Sequence, residues 1–151
     1  MDGGDFLQEQ ISQGEAWMNG GSVSLDTSVL LRLLVGEPQD QHVAAMNFLS
    51  EQLSQGAEVH VADLVLAEAY FALQSYYAMP KVDALNALLL FVRHAGVSVS
   101  PSAIEVLSTP NLATANPGFV DRLIHGASRS VGHTLVTFEK AAKKLPGTKV
   151  L

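Results

Sequence analysis

The sequence predicts an α/β domain with a central, mostly parallel sheet of about five strands flanked by helices. Three observations predict it. Short strand-like runs recur five times, at 22–26, 58–62, 97–100, 134–137 and 148–151, and helical patterns separate them. Gly36, Pro38, Gly56, Pro80, Gly96 and Gly132 punctuate the boundaries. The chain has 151 residues, 48% of them hydrophobic, which suffices for one compact core but not for two halves each with its own.

The elements follow in order. Residues 1–21 are rich in Gly, Gln and acids and read as an N-terminal tail or appended segment ahead of a 22–151 domain. SVSLD at 22–26 alternates as a strand does, and Asp26-Thr27-Ser28 opens a helix that Gly36 and Pro38 stop. The next helix places Val43, Met46, Leu49 and Leu53 on one face and ends at Gly56. EVHVA at 58–62 is a strand, with Asp63 after it as an N-cap. Residues 64–78 and 81–95 are apolar helices closed by Pro80 and Gly96. VSVS at 97–100 is a strand and 102–108 a short helix. Asn116-Pro117 supplies an N-cap and first-turn pair for a helix to about residue 131. TLVT, the short helix EKAAKKL and the final strand TKVL complete the chain.

Composition excludes several classes. Without cysteine there is no disulfide framework, thiolate metal site or Cys nucleophile. No G-x-S-x-G, P-loop or G-x-G-x-x-G occurs, so serine hydrolase, Walker NTPase and dinucleotide readings lose support. The start lacks a basic and an apolar signal region, and no apolar run approaches the roughly 20 residues of a membrane span. A soluble cytoplasmic protein with no membrane partner is the expectation. The net charge of −6 argues at first against a nucleic-acid partner. Its distribution does not: residues 1–70 hold 11 acids and one base, residues 71–151 four acids and eight bases. A basic half can present a basic face.

In open parallel sheets, ligands sit beyond the carboxyl ends of the strands. Four acids stand there. Asp26 ends the first strand, where an N-cap role alone explains it. Glu68 has Leu64, Val65, Phe71 and Ala72 as helical neighbours, so a buried or half-buried position is expected. Asp121 lies in the apolar stretch GFVDRLI, with His125 one turn on as a hydrogen-bond partner. Glu139 follows TLVT, where a first-turn acid favours the helix dipole. Clustered carboxylates repel unless a hard cation neutralises them, and all-oxygen ligation suits Mg²⁺ or Mn²⁺. The aromatic residues Tyr70, Phe71, Tyr76 and Tyr77 share one helix and read as core or dimer interface.

Over residues 22–151 the motifs SLDTSVLLRLL, VLAEAYFAL, FVDRLIHGAS and LVTFEKAAKKLPG resemble, in order and spacing, the PIN domain family, in particular the toxins of VapBC-type toxin–antitoxin pairs. The resemblance implies a Mg²⁺- or Mn²⁺-dependent endoribonuclease that acts on RNA, pairs with a cognate antitoxin and forms a homodimer. It implies Asp26, Glu68 and Asp121 as metal ligands, with Asp26 central and Glu139 in the fourth acidic place. Ser28 and Thr137 match hydroxyl positions, and His125 and Arg122 stand near as supporting or substrate-binding residues. The chain departs from the pattern twice. Glu139 replaces the usual Asp, and Gly118 stands where the family often has another acid. Two other readings remain open: a weak or inactive PIN-like module that binds RNA or protein, and a different metal-assisted phosphohydrolase. An aspartyl-phosphate enzyme would typically carry Asp-x-Asp after the first strand, and Ser28 fills the second place.

Overall fold

A computed structural model describes residues 21–151, so the expectation for 1–21 lies, Gly21 apart, outside the described residues. Five short strands and six helices alternate as expected. They are β1 (Val23–Leu25), α1 (Thr27–Leu34), α2 (Gln39–Ser54), β2 (Val59–Val61), α3 (Asp63–Ser75) and α4 (Lys81–Val92). Then come β3 (Val97–Ser98), α5 (Pro101–Leu107), α6 (Phe119–Ser130), β4 (Leu135–Thr137) and β5 (Thr148–Val150). Single 3-10 turns lie at Leu112–Thr114 and Lys140–Lys144.

All strand pairs are parallel, as the helical crossovers require. The five strands form two sheets instead of one. One has the order β1-β2-β3, and the other is the pair β4-β5. Val23 faces Val59 and Leu25 faces Val61, so β1 and β2 end level with each other. The ladder groups of β4 bond to β5 and its flanks, with Leu135 N donating to Gly147 O and Leu151 N to Thr137 O. Beyond β1 runs an open groove of about 480 Å³, bordered by Val23, Val29, Ala45 and Phe48.

The core lies between sheet and helices. Val59 and Val61 are fully buried on either side of half-buried His60, the period-two signature of a strand. Helix α3 buries Leu66, Ala69, Tyr70 and Leu73, a single helical face, and α4 buries Ala84, Leu85, Leu88 and Val92. Each fully buried Leu contributes roughly 1.5–3 kcal/mol by leaving water.

Four local expectations are corrected. Helix α2 turns inward on Gln52, which is fully buried, while Val43 and Met46 are 47% and 44% exposed. Of the apolar face read in the sequence, Leu49 and Leu53 pack on the core, and the N-terminal half with Val43 and Met46 does not. The side-chain amide of Gln52 has no hydrogen-bond partner among the described residues. Helix α6 begins at Phe119 with Gly118 as N-cap, because Pro117 and Phe119 are drawn into the core. Asn116 therefore caps nothing. Asp63 is the first residue of α3 and not its cap. Its carboxylate accepts from Ser100 Oγ at 2.7 Å, which ties the start of α3 to the start of α5. Helix α3 stops at Ser75, since the chain turns through Ala78 at φ 53° before Pro80.

Candidate active site

Asp26 follows β1 directly and is the N-cap of α1. Its Oδ1 accepts from Ser28 Oγ at 2.7 Å and from Val29 N at 3.0 Å. The Ser28 hydroxyl, and then the Val29 amide, hold the carboxyl below its ordinary value of 3.8, because both bonds favour the charged form. The Ser28 backbone amide adds a smaller contribution in the same direction, so an ionised, exposed carboxylate stands at the strand end.

Glu68 lies on α3, five residues past its start, about 7.5 Å along the helix axis from Asp63. It is exposed, contrary to the half-buried position its neighbours suggested. Leu64 and Phe71 are themselves 70% and 55% exposed, so the apolar residues beside it mark an outer surface. Asp121 is exposed in the first turn of α6, where the helix dipole favours an anion. Among the described residues, neither Glu68 nor Asp121 has a hydrogen bond or ion pair.

Three of the four acids stand on elements that the packing joins. Parallel register sets the ends of β1 and β2 side by side, and α1 packs on α3. Tyr70 meets Phe119 edge to face, with ring centroids 5.0 Å apart, and so couples α3 to the start of α6. Tyr70 is two residues beyond Glu68 and Phe119 two before Asp121. The fourth acid, Glu139, follows β4 of the second sheet. Glu139 Oε1 accepts from Ala141 N at 3.2 Å and caps the 3-10 turn, while Glu139 N donates to Thr137 Oγ1 at 3.0 Å.

The other expected residues have different partners. His125 does not bond Asp121; its Nε2 donates to Pro146 O at 2.6 Å. Arg122 Nε donates to Pro117 O at 2.7 Å. Both line a cleft between α5 and α6, together with Arg129. Arg122, His125 and Arg129 recur at i, i+3 and i+7, a helical face that was readable but overshadowed by the acids.

An α/β domain with exposed carboxylates after its strand ends belongs to the class suited to cation-assisted chemistry. The particular family follows from comparison: the PIN domain model matches residues 23–147, and the chain belongs to that family. No curated protein and no solved structure matches the chain. PIN domains are generally nucleases that use divalent metal ions and act on RNA or DNA. The donors here fit such an ion in kind, being hard carboxylate oxygens. Among the described residues no three Asp, Glu or His side chains stand close enough to enclose an ion by themselves. Mg²⁺ does not require a closed cage, since it keeps several waters and takes one or two carboxylates plus substrate phosphates. No helix among the described residues is long and apolar enough to cross a membrane.

Proposed function

We propose that the chain is a Mg²⁺- or Mn²⁺-dependent endoribonuclease and the toxin of a toxin–antitoxin pair, working in the cytoplasm. The observation that carries this reading is the exposed Asp26 carboxylate, oriented at a strand end by Ser28 and Val29 and held ionised by them. Asp26, Glu68 and Asp121 would hold the ion, and Glu139, whose Oε1 caps a turn, would reach it directly or through water. When bound, Mg²⁺ or Mn²⁺ supplies an activated water and offsets charge on the phosphate under attack. Ser28 fixes the rotamer of Asp26, and the Thr137 hydroxyl fixes the backbone at Glu139. The exposed apolar residues Leu64, Phe71 and Tyr76 support a protein-binding surface on and beside α3, suited to a second copy or an antitoxin.

The test is cleavage of mixed cellular RNA by antitoxin-free protein, with Mg²⁺, Mn²⁺ or a chelator. Metal-dependent cleavage that Asp26→Asn and Glu68→Gln abolish supports the reading; equal cleavage by Asp26→Asn overturns it. The capping role of Glu139 favours one second reading, a module that binds RNA without cutting it. Acid-dependent cleavage excludes that reading.

A further inference from the structure

Helices α5 and α6 pack closely at Gly126, where an added Cβ would lie 2.8 Å from Ser102 Cβ. Away from that contact they diverge around a cleft of about 530 Å³, which the Leu145-Pro146 turn closes at one end. The cleft is basic. Arg122, His125 and Arg129 line it from α6, and Glu105 is the single acid lining it. No ion pair joins Glu105 to either arginine among the described residues, so their charges are not neutralised in place. Arg122 has only its Nε occupied. Among the described residues Arg129 has no side-chain hydrogen bond, and its guanidinium lies against the backbone of Gly147. A Cβ on Gly147 would come within 2.5 Å of that guanidinium, and the residue has φ +70°, so glycine alone permits the placement. The side chain of Arg129 is thus oriented by packing while its donors remain free. His125 Nε2 carries a proton toward Pro146 O, which fixes the ring at the cleft wall.

We propose that this cleft binds backbone phosphates of the nucleic-acid strand, with Arg122 and Arg129 as the phosphate-holding residues. The inference rests on the nuclease reading for its ligand, and the test separates the two. Guanidinium groups with unoccupied donors match phosphate oxygens, which they can engage in pairs. The cleft is lined by the same helix, α6, that carries Asp121, a candidate metal ligand. Arg122 to Arg129 spans about 10 Å of helix, comparable to the axial rise of roughly three nucleotides.

The experiment measures binding of single-stranded oligouridine and oligothymidine of equal length to the full chain carrying Asp26→Asn, between about 50 and 200 mM salt. Arg129→Gln should weaken both ligands alike and reduce the slope of log affinity against log salt by about 0.7, and adding Arg122→Gln should reduce it by about 0.7 again. Arg93→Gln, an exposed arginine outside the cleft, should leave the slope unchanged. Unchanged slopes in Arg129→Gln, which loses no internal hydrogen bond, overturn the proposal even if Arg122→Gln fails to fold. Loss of binding to polyglutamate with unchanged nucleic-acid slopes also overturns it and assigns the cleft to an acidic protein partner. Arginine-dependent binding by a wild-type chain that cleaves nothing supports the cleft and removes the nuclease reading. Asp26-dependent cleavage with unchanged slopes does the reverse.

Discussion

Asp26 serves both the fold and the candidate site, and substitutions can separate the two roles. Asn keeps the cap on Val29 N and removes the charge, whereas Ala removes both. Asp26→Ala should therefore lower stability by about 0.5–2 kcal/mol in urea unfolding, and Asp26→Asn by much less. Cleavage should fall about 100-fold or more in both. The carboxyl sits below 3.8, so its stabilising bonds are fully present above that pH and disappear as pH falls through the lower folded value. In Ser28→Ala the NMR titration midpoint of Asp26 should move up toward 3.8, because the largest cause of the depression is gone. A midpoint that stays put would contradict that assignment. Asp26 was legible because it combines a strand end with an N-cap. The setting of Glu68 was not: apolar neighbours on a helix suggest burial only when they are themselves buried, and Leu64 and Phe71 are not.

At the scale of elements, period and punctuation located every strand and helix, while tertiary packing decided their ends and faces. Helix α2 shows the difference. Its apolar residues suggested one face, yet the structure also turns Gln52 inward, with no partner for its amide among the described residues. Leaving such a group unsatisfied costs about 1–3 kcal/mol. Gln52→Met, of similar shape, should therefore raise stability by about 1 kcal/mol in urea unfolding. The Tyr70–Phe119 contact joins the helices of Glu68 and Asp121. Phe119→Ala should cost about 3–5 kcal/mol, since the ring is 2% exposed. The division into two sheets had no signal in the sequence, because strands of two or three residues carry too little pattern to reveal which edges pair.

For the whole molecule, a net charge of −6 averages unlike regions. Acids dominate the first 70 residues, and the arginines of α6 line a cleft on the basic remainder. The fold class and the order of the four acids could be read from the sequence. The assignment of the strands before Asp26 and Glu139 to two different sheets could not, since it depends on which edges pair. The central claim is metal-dependent RNA cleavage through Asp26. Its most direct test is a time course of RNA cleavage by antitoxin-free wild type and Asp26→Asn, with Mn²⁺ and with chelator. The account predicts cleavage by wild type with Mn²⁺ alone, lost in Asp26→Asn; cleavage that persists in the variant or with chelator would contradict it.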